Sequence, residues 1–214
     1  MTEITLAIDT STRVAVGLAR DEQVLRRALV GDDRSHVELL TPTIHEVLAS
    51  TGMSLADVTR IGVGVGPGPF TGLRVGVATA EILGQALGIP VIGVCSLDAI
   101  ALCNAAASGE FVVVIDARRH EVYWARYDAT GLRVDGPHVT AASALPPLPA
   151  IGPGAPDAAG EGFDAGAMAA DLDLLPHLGL EPLYLRDPDA ATATTRKSAI
   201  AGGRLRLPIG VKPS

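Results

Sequence analysis

Cysteine, aromatic side chains and uninterrupted apolar runs are all scarce in this chain of 214 residues, and each scarcity removes a class of function. Cys95 and Cys103 are the only cysteines, with neither metal nor redox spacing, which excludes a zinc module, a dithiol redox site and a disulfide-stapled scaffold. They read as small core residues of a reduced, cytoplasmic protein. Aromatics amount to 3 %, so the core must be built from Ala, Val, Leu and Ile. Gly, Pro or charge breaks every apolar stretch before the roughly 18–20 residues of a membrane span. The start, Met1-Thr2-Glu3-Ile4-Thr5, has no basic region and predicts no signal peptide. Hydrolase signatures are missing too: there is no Gly-x-Ser-x-Gly elbow and no His-Glu-x-x-His, and His36, His45, His120, His138 and His177 are scattered. Positive charge is the minority sign. A net charge of −7 argues against a surface that acts as a whole as a nucleic-acid platform. The exception is a basic tail in which Arg196, Lys197, Arg204, Arg206 and Lys212 face no acidic residue; it is either solvated or in contact with RNA.

What is present is a globular composition, 48 % hydrophobic with a mean hydropathy of +0.33. Ile4 to Asp9, Val14 to Arg20 and Val24 to Val30 read as three short strands in an antiparallel meander. Ser35 and Glu38 form a capping box opening a helix with Val37, Leu40, Ile44, Val47 and Leu48 on one side, which Gly52 ends. Pro42 either kinks that helix or restarts it with Thr41 as cap. A strand from Ile61 to Val65, a helix from about Gly72 to Leu87, a strand from Pro90 to Val94 and a helix from Leu97 to about Ala107 follow. The order is βββαβαβα.

The second half starts as a copy of the first. Ile8-Asp9-Thr10-Ser11-Thr12-Arg13-Val14-Ala15-Val16 lines up with Ile115-Asp116-Ala117-Arg118-Arg119-His120-Glu121-Val122-Tyr123, half a chain length further on. The predicted organisation is a lobe over residues 1–108 and a smaller one over 109–214. The latter contains an Ala/Pro/Gly-rich loop at 141–166 and the basic tail.

The densest motif is the turn Gly64-Val65-Gly66-Pro67-Gly68-Pro69-Phe70-Thr71-Gly72-Leu73-Arg74, followed by Gly72, Gly76, Ala80, Gly84 and Gly88 at every fourth residue. Each helical Gly costs roughly 0.5–1 kcal/mol relative to Ala, so the ridge must allow a close approach. It packs either against the chain's own sheet or against a partner's helix. The second reading makes Gly72, Gly76, Ala80 and Gly84, with His36 and Leu40 of the neighbouring helix, a docking surface. Asp9, Thr10, Ser11 and Thr12 at the end of a strand suit phosphate and a metal-bound water, but the same residues are ordinary turn formers. Arg118 and Arg119 in the second copy suit a phosphate or a partner's carboxylates. Pro67 and Pro69 each remove a donor from the turn, which makes it a poor anion cradle.

These motifs together resemble the TsaB (YeaZ) family. They are Ile8-Asp9-Thr10-Ser11, His36-x-Glu38-x-Leu40, Gly66-Pro67-Gly68-Pro69-Phe70-Thr71-Gly72-Leu73-Arg74, Ile92-Gly93-Val94, Asp116-Ala117-Arg118-Arg119-x-Glu121-Val122-Tyr123 and Pro182-Leu183-Tyr184-Leu185-Arg186. Ser is usual in the family where this chain has Pro69. The resemblance implies an α/β fold of the actin/Hsp70/sugar-kinase (ribonuclease H-like) type with duplicated lobes, the second reduced. It implies a non-catalytic subunit that activates and scaffolds a paralogue, TsaD, which transfers threonylcarbamoyl from its AMP adduct to N6 of adenosine 37 in tRNAs reading codons that begin with A. An ATPase, TsaE, joins the complex. ATP and metal belong to those partners, and no cofactor is expected on this chain. Ser96 and Ile100 stand where the paralogue has metal-binding histidines. Three alternatives remain: a small-molecule kinase of the same fold, a glycoprotease-like hydrolase, and a stand-alone homodimer.

Overall fold

The computed structural model describes residues 2–31, 36–103, 109–155 and 163–186. Strands β1 (Ile4–Asp9), β2 (Val14–Arg20) and β3 (Gln23–Val30) form the expected meander. Helix α1 (His36–Ser50) leads to β4 (Arg60–Gly64), α2 (Phe70–Leu87), β5 (Val91–Val94) and α3 (Ser96–Leu102). The second half contributes β6 (Phe111–Asp116), β7 (Glu121–Tyr127), β8 (Arg133–Ala141), β9 (Ala150–Ile151), α4 (Ala165–Ala170) and β10 (His177–Leu178).

The duplication read from the sequence reappears as topology. One sheet runs β10-β5-β4-β1-β2-β3 and the other β8-β7-β6-β9. In each, a strand ending in Asp pairs antiparallel with the next strand on one side and parallel with a later strand on the other: β1 with β4, and β6 with β9.

Side-chain alternation sets the layers of the first sheet. Successive strand residues point to opposite faces, and here the two sets differ in size. Leu6, Ile8, Val14, Val16 and Leu18 join Leu40, Ile44, Val47 and Leu48 of α1 and Val77 and Ala80 of α2. Ala7, Ala15 and Ala19 face the other way, toward α3, α4 and the inner face of the second sheet, where Phe111, Val113, Tyr123 and Tyr127 lie. The small set allows α4 to approach closely: a Cβ on Gly17 would sit 2.1 Å from the Ala165 carbonyl oxygen. With both faces covered, β1 and β2 are buried almost throughout. The outer face of the second sheet packs Val112, Val114, Val122 and Trp124 under Leu145 and Leu148.

Several local expectations change. Helix α1 is continuous through Pro42. The N–H that Pro42 lacks would have met the carbonyl of Glu38, and both residues are exposed, so water can serve that group. The capping residue Ser35 lies outside the described residues. Helix α2 starts at Phe70 rather than Gly72 and stops where Gly88 turns left-handed at φ 67°. The helix expected to run to Ala107 is described only to Leu102, and residues 104–108 lie outside the described set. The segment 141–166, read as loop, includes β9 and the first two residues of α4 within its described part. Strand β10 pairs antiparallel with β5, so the second half of the chain completes an edge of the first sheet.

One buried cation ties these layers together. Arg60, 8 % exposed, donates from Nε to Thr5 Oγ1 at 2.8 Å and pairs with Glu3 at 2.7 Å and Asp173 at 2.8 Å.

Candidate functional site

The site is built where β1, β4 and β5 end. Asp9 closes β1, and its Oδ1 accepts from Ser11 N–H at 2.8 Å and from the Ser11 hydroxyl at 2.6 Å. Its Oδ2 accepts from Ser96 Oγ, the first residue of α3, at 2.6 Å. Ser96 is bound to the Gly-Pro turn as well: its N–H donates to the Gly66 carbonyl at 2.8 Å, and its Oγ accepts the Gly66 N–H at 3.2 Å. Gly64 makes the approach feasible, since a Cβ there would stand 1.8 Å from Asp9 Oδ2. Asp9, Thr10, Ser11 and Ser96 are fully buried.

The turn after Asp9 is covered by the next motif. Thr10 Oγ1 donates to the Gly72 carbonyl at 2.8 Å. A Cβ on Gly68 would lie 2.6 Å from the Ser11 carbonyl oxygen, and one on Gly76 would lie 2.2 Å from Thr10 Oγ1. The donors a phosphate would require, Ser11 N–H and hydroxyl, already point at Asp9. Thr12 is half-buried at the rim. These residues do not fit the nucleotide and metal of a phosphotransfer site. Ser96 offers a hydroxyl committed to Asp9, Ile100 is apolar and buried, and neither replaces an imidazole. Among the described residues no group of three or more His, Cys, Asp or Glu is placed to share a metal ion.

The glycine ridge faces inward, which corrects the docking-surface expectation. Gly72, Gly76, Ala80 and Gly84 are all buried, with Gly76 over Thr10 and Gly84 within 2.2 Å of Val91 Cγ2 for an added Cβ. Leu40 is 1 % exposed and belongs to the same core. The His36 side chain lies outside the described set. The outward faces of the two neighbouring helices carry other residues: Thr41, Pro42, His45, Glu46 and Ala49 on α1, and Thr71, Arg74, Ala78, Glu81, Ile82 and Gln85 on α2. Ile82 is 65 % exposed. Four-residue spacing identifies a stripe without saying which side of the helix meets the core, so this face is not legible in the sequence.

Two further arrangements escaped the sequence. The segment Pro182 to Arg186 straps the two sheets together. Leu183 N–H donates to the Val65 carbonyl at 2.7 Å. The Tyr184 ring meets Phe70 at 4.6 Å, and its hydroxyl accepts from Arg74 Nε at 3.0 Å, while the Arg74 guanidinium lies 3.8 Å over Phe70. Arg186 reaches the second sheet, donating to the Ala117 carbonyl at 3.3 Å and pairing with Glu121. The second arrangement is a buried polar cluster. Asp98 Oδ1 accepts from the Tyr127 hydroxyl at 2.7 Å and lies 3.4 Å from Arg133 Nε, while its Oδ2 is buried with no hydrogen-bond partner among the described residues. Burial raises the Asp98 carboxyl above its ordinary value of 3.8, against the lowering effects of Tyr127 and Arg133. Burial, with Asp98 adding to it, pushes the Cys95 thiol up to about 12, so it stays a protonated, inert thiol. Arg118 and Arg119 sit exposed on the hairpin between β6 and β7.

A family model described as "TsaD: tRNA N6-adenosine threonylcarbamoyltransferase" matches residues 32–145. The uncharacterized protein Rv3421c of Mycobacterium tuberculosis is 47 % identical over 199 residues, covering 86 % of this chain and 92 % of that one. The tRNA threonylcarbamoyladenosine biosynthesis protein TsaB of Escherichia coli is 34 % identical over 124 residues, and TsaB of Bacillus subtilis 34 % over 123. Each of these two alignments covers 57 % of this chain and 54 % of the relative, so the match spans about half the length of those curated proteins. Among solved structures, YeaZ from Pseudomonas aeruginosa superimposes with a TM-score of 0.68 at 26 % identity, covering 86 % of this chain and 100 % of that one. On these matches, the chain belongs to the TsaB (YeaZ) family.

Proposed function

We propose that this chain is the non-catalytic subunit of a tRNA threonylcarbamoyladenosine-forming complex in the cytoplasm. In this reading it holds a TsaD-type paralogue in its active shape while the paralogue transfers threonylcarbamoyl from the AMP adduct to N6 of adenosine 37, with a TsaE-type ATPase joining. The observation that carries the reading is the closed Asp9–Ser11–Ser96–Gly66 network. The carboxylate that would hold a metal-bound water in a phosphotransfer enzyme is fully buried, and serines of this chain donate to both of its oxygens. A scaffold whose reaction centre is filled by its own side chains suits an accessory role. The same observation weighs against the small-molecule kinase and hydrolase alternatives.

The proposed docking surface is the outward face of α1 and α2, centred on Ala78, Ile82 and His45. The same face serves a homodimer that competes with the paralogue when the chain is alone. The test is co-purification with the TsaD-type paralogue of the same organism, then reconstituted tRNA modification with and without this chain. Modification that requires the chain supports the reading. Full modification by the paralogue alone, or ATP-dependent phosphotransfer by the isolated chain, overturns it.

A further inference from the structure

Helix α3 packs between the two sheets, and one of its side chains reaches the outermost strand of the second. Asp98, in the first turn of α3, accepts from the Tyr127 hydroxyl of β7 at 2.7 Å and stands 3.4 Å from Arg133 Nε at the start of β8. Strand β7 is held independently, since Phe111 of β6 lies opposite Tyr127. Strand β8 is an edge of its sheet, and its pairing with β7 shifts register on both sides of Arg126. The Asp98–Arg133 contact therefore ties the core to an irregularly laddered edge.

The tie is incomplete at one atom. The Asp98 side chain is 5 % exposed, and its Oδ2 has no hydrogen-bond partner among the described residues. Charge-assisted hydrogen bonds fall at about 2.7–2.9 Å, so at 3.4 Å Arg133 does not lock the carboxylate. An ionised carboxylate with one bare oxygen is costly in a dry core, and a proton on that oxygen removes the charge. Burial pushes the carboxyl above its ordinary range against the effects of Tyr127 and Arg133, in keeping with this geometry. Cys95 and Tyr127, which also face Asp98, are raised by burial and stay neutral. Phe111 and Val113 of β6 and Ala7 and Ala15 of the first sheet bring only apolar groups. On β7, β8 and the turn between them, Arg126 pairs with Glu110, Asp128 is held by Thr130, and Asp135 pairs with His138. The Arg133 side chain, 22 % exposed, marks where water can enter.

We propose that Asp98 is a proton-operated latch between α3 and the edge strand β8. With a proton on Oδ2 the contact is closed and dry. When that proton leaves to solvent, the bare oxygen draws water in beside Arg133, and the start of β8 loosens from α3. The rest of the second sheet stays in place, because β7 keeps its ladder to β6. Opening of this kind is local, confined to an edge whose ladder is already irregular.

The test is amide hydrogen exchange of the full chain between about pH 4 and 8, the span over which a raised carboxyl titrates, corrected for the intrinsic pH dependence of exchange. In the parent, protection at the start of β8 should fall by about tenfold or more as pH rises, while protection in β6 stays level. Asp98→Asn keeps the shape and cannot ionise, so its β8 protection should stay within about twofold across the series. His138 is present in both proteins, so its own titration cancels in the comparison. Infrared spectra of the parent supply a second readout that needs no variant: the carbonyl band of a neutral buried carboxylic acid should disappear over the same pH range in which β8 loses protection. Equal pH dependence in parent and Asp98→Asn overturns the proposal. So does a band that disappears with no change in β8, or β8 protection that rises as Asp98 ionises, which would make the ion pair with Arg133 the closed state.

Discussion

Ser96 and Asp9, 87 positions apart in the sequence, meet in a buried hydrogen bond of 2.6 Å from Ser96 Oγ to Asp9 Oδ2. This bond joins the first turn of α3 to the end of β1, with the Gly66 backbone bridging above. A serine at the head of a helix thereby completes the coordination of a carboxylate by its own chain.

Ser96→Ala removes that donor and leaves a buried carboxylate oxygen one partner short. The expected cost is about 1–3 kcal/mol of unfolding free energy, read by urea or guanidinium denaturation. Asp9→Asn keeps the shape, and in a folded complex it should leave tRNA modification within a few fold of the natural protein. Loss by a factor of roughly a hundred, the scale of a general acid–base group, with paralogue binding intact would place the carboxylate on a ligand.

Gly76→Leu should damage the fold rather than partner binding alone. The new Cβ would lie 2.2 Å from Thr10 Oγ1, the hydroxyl that donates to the Gly72 carbonyl. Overpacking plus loss of that buried bond should cost about 3 kcal/mol or more, seen as a lower denaturation midpoint of the isolated chain. A variant as stable as the parent would return the ridge to the surface.

Ile82→Glu and Ala78→Glu test the outward face. Both positions are exposed, so stability should change by no more than about 0.5 kcal/mol. Affinity for the TsaD-type paralogue should fall by about tenfold, a difference of roughly 1.4 kcal/mol, measured by titration calorimetry. Self-association should weaken in parallel in sedimentation. Wild-type affinity in both variants would move the interface elsewhere.

Asp98 gives the protein a defined pH response. Its carboxyl is raised by burial, so the folded state holds the proton more tightly than the unfolded chain does. That contribution to stability is complete below the ordinary value of 3.8 and is lost as pH rises through the folded-state value. The titrating neighbours are steady in that range: Tyr127 and Cys95 are both raised by burial and stay neutral. Asp98→Asn should gain stability relative to the parent as pH climbs from about 4 toward neutrality, measured by denaturation across the series. A constant difference between the two proteins would show that Asp98 is ionised in the fold as readily as out of it.

The local elements were legible in the order of residues because they depend on near neighbours. Three short runs of residues marked β1, β2 and β3 as a meander, the helix expected to end at Leu87 does so, and the paired Asp-ended strands announced two related sheets. Family membership was legible for the same reason, since its motifs are short and contiguous. The direction in which each surface faces was not. Gly72, Gly76, Ala80 and Gly84 form one stripe under any reading, and only the position of Thr10 and Val91 makes that stripe internal. The sequence likewise placed Asp9 at the end of a strand but could not say that Ser96 would bind it, nor that Asp98 would meet Tyr127. Those pairings join residues from different elements, and they exist only once the sheets and α3 have packed. Periodicity determines which residues share a face; packing decides what that face meets.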